Sequence, residues 1–113
     1  METIKIKTQE ELNSILEKEK DRLVLLKFQT QWCWPCKMYG ENIKNLPSEI
    51  SDKLLLLEVD ADEDDALDLV VSHDVRNVPV SIFYYDNKEV EKVSGLLTLD
   101  NLTKKIKKIL KTL

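Results

Sequence analysis

The sequence is poor in the residue types that build metal centres. It holds two cysteines and a single histidine, His73, among 113 residues, whereas a structural zinc takes about four nitrogen or sulfur ligands. No metal site is expected. The sequence also lacks any apolar run close to the roughly 20 residues that a membrane-spanning helix needs, so no membrane insertion is expected. The opening residues Met1-Glu2-Thr3-Ile4-Lys5 contain neither an apolar signal core nor a small-residue cleavage site. With nothing marking secretion, a reducing cytoplasm is the expected compartment, where a cysteine pair is more often catalytic than structural. Excess positive charge is missing as well: the formal net charge is −4 and the isoelectric point lies near 5.1. A nucleic-acid surface needs a basic patch to neutralise phosphates, so nucleic acid is not an expected partner. The lysines at 104, 105, 107, 108 and 111 read instead as the solvated face and C-terminal charge bias of a last helix. The acidic run from Asp60 to Asp65 lacks the glycine and the closing glutamate of a calcium loop. No internal repeat or low-complexity tract is present.

What is there is enough for one compact domain spanning residues 1–113 with no linker, at 42% hydrophobic and 34% charged residues. Its two cysteines stand three apart in Trp32-Cys33-Trp34-Pro35-Cys36-Lys37. At that spacing two thiols can close a small disulfide across the first turn of a helix. Free backbone N–H groups at a helix N-terminus lower the first thiol's pKa and make it the more reactive. A C-x-x-C pair near a βαβ pattern reads as a redox motif rather than as two unrelated buried cysteines.

The flanking sequence supplies that pattern. Thr3 to Lys7 alternates as a short strand, and Thr8-Gln9-Glu10-Glu11 reads as a capping box for a helix burying Leu12, Ile15 and Leu16. Leu23 to Phe28 is nearly continuous apolar sequence, as in a central strand covered on both faces. From Pro35 a helix is predicted to run towards Ile50, with Pro47 limiting or kinking its far end. Leu54 to Val59 is a second buried strand. The acidic run is expected to cap a short helix through Leu67, Leu69, Val70 and Val71. Val80 to Tyr85, a turn at Asp86-Asn87-Lys88, and Glu89 to Ser94 read as a β-hairpin. Thr98 or Asp100 starts a closing helix with Leu99, Leu102, Ile106, Ile109, Leu110 and Leu113 on one face. The expected architecture is therefore α/β: a mixed five-stranded central sheet in the order β-α-β-α-β-α-β-β-α, with helices on both faces.

The chain resembles the thioredoxin family over nearly its whole length. Phe28 through Met38 with the two cysteines, Val59-Asp60-Ala61-Asp62, Val75-Arg76-Asn77-Val78-Pro79, and Gly95 after the last strand carry the resemblance. The combination is far more specific than C-x-x-C alone. The resemblance implies the thioredoxin fold and a protein-disulfide reductase in which Cys33 attacks a substrate disulfide and Cys36 resolves the mixed disulfide. It further implies a cis proline at Pro79 beside the cysteines, with the Val78 backbone pairing with a bound peptide as an added strand. Trp32 is expected to contact substrate, Pro35 to start the active-site helix, and Gly95 to border the substrate site. No bound cofactor is implied, electrons coming from an NADPH-dependent flavoprotein reductase of the thioredoxin reductase kind. A monomer is expected.

Four departures from the family pattern stand out. Trp34 replaces the usual glycine between the cysteines, Gly40-Glu41 stands where a kinking proline is common, and the stretch before Pro79 is about two residues longer. The fourth is chemical: Lys27 takes the place of the family's buried aspartate and Glu58 that of its lysine partner, a charge swap. Alternatively Lys27 snorkels to solvent and Glu58 is a surface residue. Tyr39, Tyr84 and Tyr85 read as packing residues, and His73 as a helix-end residue rather than a base. Two other functions compete. A glutaredoxin-like, glutathione-dependent enzyme should show a glycine pair followed by acids, which Glu89 to Leu99 lacks. A redox-inert binding module using Trp32, Trp34 and Pro79 has the intact cysteine pair against it.

Overall fold

A computed structural model describes all 113 residues. Five strands, β1 (Glu2–Lys5), β2 (Leu23–Gln29), β3 (Leu54–Asp60), β4 (Val80–Tyr85) and β5 (Lys88–Ser94), form one sheet in the order β1-β3-β2-β4-β5. The pairs β1·β3 and β2·β3 are parallel, while β2·β4 and β4·β5 are antiparallel. Five α-helices accompany them: α1 (Gln9–Lys18), α2 (Trp34–Lys44), α3 (Ser48–Ser51), α4 (Leu67–Ser72) and α5 (Leu99–Thr112). This is the mixed five-stranded α/β sheet expected from the sequence, with β2 at its centre.

Period-two alternation of the strands splits the core in two. Val24, Leu26 and Phe28 of β2 face one side with Leu12 and Leu16 of α1 and Leu69 of α4. Leu23 and Leu25 face the other side, packing with Tyr39 and Ile43 of α2, Ile50 of α3, and Leu102, Ile106 and Ile109 of α5. Lys27 continues the second series, so the pleat sends its side chain under α2. Its neighbours Leu26 and Phe28 are likewise fully buried.

Local chemistry sets most of the boundaries. Thr8 caps α1 through a complete capping box: Glu11 N–H donates to Thr8 Oγ1 (3.1 Å), and Glu11 Oε1 accepts from the N–H of Thr8 (3.1 Å) and Lys7 (3.0 Å). The bond from the Lys7 N–H is the main reason the Glu11 carboxyl sits below its ordinary pKa. Its contribution is thus present at neutral pH and is lost as the pH falls through that lowered value. Thr8→Ala is expected to cost about 1 kcal/mol, read as a lower thermal midpoint at neutral pH.

Some boundaries differ from the sequence reading. The first strand ends at Lys5, because Glu11 draws in the Lys7 N–H to finish the helix cap. The active-site helix stops at Lys44 instead of continuing to Ile50. Leu46 turns into the core, and Pro47 starts the separate four-residue α3. The acidic run gives α4 no side-chain cap: a 3₁₀ turn at Asp64–Ala66 leads into it, and Asp60 accepts from the Asp62 N–H instead (3.0 Å). The hairpin turn is the two-residue Asp86-Asn87, both at positive φ (51° and 62°), with Lys88 already in β5. That is the twist-matched geometry of a tight hairpin.

Candidate active site

Strand β2 leaves the centre of the sheet at Gln29, and Thr30 to Trp32 carries the chain to the start of α2. Cys33 is the N-cap residue of that helix, followed by Trp34 and then Pro35, where a missing N–H leaves no helical bond unmade. Cys33 Sγ accepts from the Cys36 N–H at 3.1 Å, so the sulfur itself caps the helix. The two cysteines are joined as a disulfide, their Cα atoms 5.2 Å apart. They are not equivalent: Cys33 is half-buried at the surface, whereas Cys36 is 2% exposed.

Three other segments meet this pair. The Val78–Pro79 peptide is cis, and the Val78 carbonyl oxygen lies 3.7 Å from Cys33 Sγ. Neither the N–H nor the carbonyl of Val78 makes a backbone hydrogen bond within the chain, so both remain available to an extended segment laid beside them. Gly95, at φ +94°, donates its N–H to the Pro79 carbonyl (2.8 Å) and ties the proline to the end of β5. A side chain at Gly95 would meet no atom within 4 Å, so it is the positive φ that calls for glycine there. Trp32 and Trp34 are 88% and 69% exposed, which excludes a core role for either ring. Two large apolar surfaces thus stand in solvent around a reactive sulfur.

Behind the pair lies Lys27, and it does not snorkel. It is 2% exposed, and its Nζ donates to the Cys36 carbonyl at 3.2 Å and sits 5.7 Å from the centre of the Tyr39 ring. Burial lowers its pKa from the ordinary lysine value, and the charge of Glu58 opposes that shift. Glu58 is the register partner of Lys27 on β3 and is half-buried, yet no ion pair joins the two within 4.0 Å. Glu58 therefore acts on Lys27 through the local field rather than through a bond. A cavity of about 630 Å³ opens beside them, lined by Lys27, Cys36, Gly40, Glu58, Trp34 and Met38 among others.

Sequence reasoning missed what Gly40 does. A Cβ at that position would come 3.3 Å from Lys27 Nζ, closer than ordinary van der Waals contact. The absence of a side chain at Gly40 is what leaves room for the Lys27 amine. The only available signal was that both lie just outside the cysteine motif, one on each side. Tyr39 is a packing residue as read, but its hydroxyl also accepts from Ser81 Oγ at 2.6 Å, and burial pushes its pKa up to about 12. His73 caps the end of α4 with both ring nitrogens engaged. Nδ1 donates to the Leu69 carbonyl (2.9 Å), and Nε2 is hydrogen-bonded with the Tyr84 hydroxyl (3.0 Å). It has no nitrogen free to act as a base on the thiols. No group of three or more His, Cys, Asp or Glu residues is arranged to hold a metal, and no helix is long and apolar enough to cross a membrane.

Comparison with known proteins agrees with this geometry. The Thioredoxin family profile matches residues 3–108. A thioredoxin from Chlamydia caviae is 33% identical over 103 residues, covering 91% of this chain and 95% of that one. Thioredoxin-T of Drosophila melanogaster is 29% identical over the same share of this chain, which spans 64% of its length. The X-ray structure of Fasciola hepatica thioredoxin superposes with a TM-score of 0.80 at 27% identity, over 96% of this chain and 98% of the other.

Proposed function

Since this chain belongs to the thioredoxin family and is a protein-disulfide oxidoreductase, we propose that Cys33 is its attacking thiol and Cys36 the thiol that resolves the intermediate. The observation that carries this assignment is the asymmetry of the pair, with Cys33 half-buried at the surface beside the free Val78 backbone and Cys36 at 2% exposure behind it. In the first step the Cys33 thiolate attacks a substrate disulfide, forming a Cys33–substrate bond and releasing one substrate thiol. In the second the Cys36 thiolate attacks Cys33 Sγ, closing the protein's own disulfide and releasing the second thiol. Two electrons and two protons have then passed to the substrate.

An extended substrate segment is held along Val78, with Pro79 and Gly95 shaping the floor of that edge and the Trp32 and Trp34 rings at its sides. Pro35 fixes the first turn of α2, on which the pair depends. The oxidised protein is returned to the dithiol by an NADPH-dependent flavoprotein reductase, and no cofactor is bound by this chain. The protein works as a monomer in the cytoplasm, without a nucleic-acid or membrane partner. Insulin reduction with dithiothreitol as electron source tests the reading: precipitation of the insulin B chain well above the rate with dithiothreitol alone is expected, and no acceleration would leave only a redox-inert binding module.

Trp34 sets partner range rather than thiol chemistry, because its ring stands 69% exposed beside the sulfurs. Trp34→Gly is expected to change the rate with a protein disulfide severalfold while leaving the rate with a small aromatic disulfide nearly unaltered. Equal changes for both substrates would place the effect on the thiols.

A further inference from the structure

We propose that Lys27 is a positioning residue for the resolving step: its ammonium group, seated in the clearance at Gly40 and bonded to the Cys36 carbonyl, favours the thiolate form of Cys36. The inference rests on the thiol-exchange reading above and deepens it. Apart from Ser81, Lys27 is the sole buried polar or charged residue of the protein. Such a burial is costly unless the charge finds compensation. The compensation here is specific to this place: the Cys36 carbonyl at 3.2 Å, the face of Tyr39 at 5.7 Å, and Glu58 in register on the neighbouring strand.

The charged and titratable groups around the amine come from each element packed on it. Strand β3 presents Glu58, and strand β4 presents Ser81, whose hydroxyl is committed to Tyr39. Helix α2 presents Cys36, Tyr39 and Lys44, and its Lys37 and Glu41 line the same cavity. Glu58 favours the protonated amine. An ammonium carries three donors, of which the Cys36 carbonyl takes one. The cavity of about 630 Å³ leaves room for water on the others. A protonated lysine under α2 adds its charge to the partial positive charge of the helix N-terminus, and both favour a thiolate at Cys36. Gly40 belongs to the same device, since any larger residue would press on the amine at 3.3 Å. Lys27 neither gains nor loses a proton in the step. The Cys36 thiolate supplies the electron pair, and the substrate sulfur leaves with the pair of the broken bond.

The test removes the charge and keeps a donor. In a Cys33→Ser background, the ultraviolet absorbance of the Cys36 thiolate, which needs no reagent to reach the buried sulfur, is followed against pH, with and without Lys27→Gln. The midpoint is expected to rise by about one pH unit on loss of a nearby opposite charge. With both cysteines intact, Lys27→Gln is expected to shift the exchange equilibrium with glutathione about tenfold towards the disulfide at pH above both midpoints, a potential lower by about 30 mV. The shift should vanish at pH below both. Gly40→Ala, which displaces the amine without removing it, is expected to move the midpoint the same way by less, and it serves as the readout if Lys27→Gln does not fold. An unchanged thiolate midpoint in a folded variant overturns the proposal. Failure of the unaltered protein to accelerate insulin reduction would instead overturn the thiol-exchange reading, so the two failures are told apart.

Discussion

Cys36→Ser is expected to leave the protein covalently attached to whatever disulfide it attacks, with multiple turnover lowered by on the order of a thousandfold or more. The half-buried Cys33 at the surface can still open a substrate disulfide, but a serine hydroxyl cannot displace the substrate from Cys33 Sγ. Cys33→Ser is expected to abolish both turnover and trapping. The remaining thiol is 2% exposed in the first turn of α2, too deep for the disulfide of a folded protein to reach. Mass spectrometry under non-reducing conditions reads both variants directly. A stable adduct through Cys36 in the Cys33→Ser protein would reverse the two roles.

Phe28→Ala is the largest stability loss expected from a single core position, about 3–5 kcal/mol against a total of about 5–15 kcal/mol for a domain of ordinary stability. Phe28 is 0% exposed in the cluster that joins α1 and α4 to the sheet, and its ring lies 5.7 Å from that of His73. Truncation would empty the space beneath the end of α4 on the strand that leads into the cysteine turn. Urea unfolding with the disulfide intact should show a much lower midpoint and an unchanged slope. A loss under about 1 kcal/mol would mean that α4 collapses onto the gap, and that the helix end is not held by this ring.

The parts of the fold that were legible in the sequence are those fixed by neighbours in the chain. Thr8 and Glu11 cap a helix three residues apart, Leu23 to Phe28 has the pattern of a covered strand, and the cysteine motif together with Val59–Asp62, Val75–Pro79 and Gly95 points to the family. Contacts between distant segments were not legible. Lys27 and Gly40 lie 13 residues apart on a strand and a helix, and nothing in either segment says that the amine needs the space that glycine leaves. The fate of Lys27 was open for the same reason. A lysine stem reaches either solvent or core, and only the placement of α2 over β2 decides it. Ser81 meets Tyr39, and Tyr84 meets His73, through sheet register that no local pattern encodes. The break after Lys44 was half legible: Pro47 marked it, but Leu46 turning inward needed the core to exist first.

The place of β2 in the sheet bears on how the site is made during synthesis. The cysteines emerge at positions 33 and 36, but their strand pairs on one side with Leu54–Asp60 and on the other with Val80–Tyr85. The Val78 carbonyl beside Cys33 follows it by 45 residues. At about 5–20 residues per second, ribosomes take roughly two to nine seconds to add that stretch. For that interval the nascent chain presents both thiols without the sheet, the proline segment or the buried lysine around them. Its exchange chemistry is then that of an unstructured dithiol peptide, and the discrimination between partners begins only once the hairpin of β4 and β5 has closed on the edge of β2.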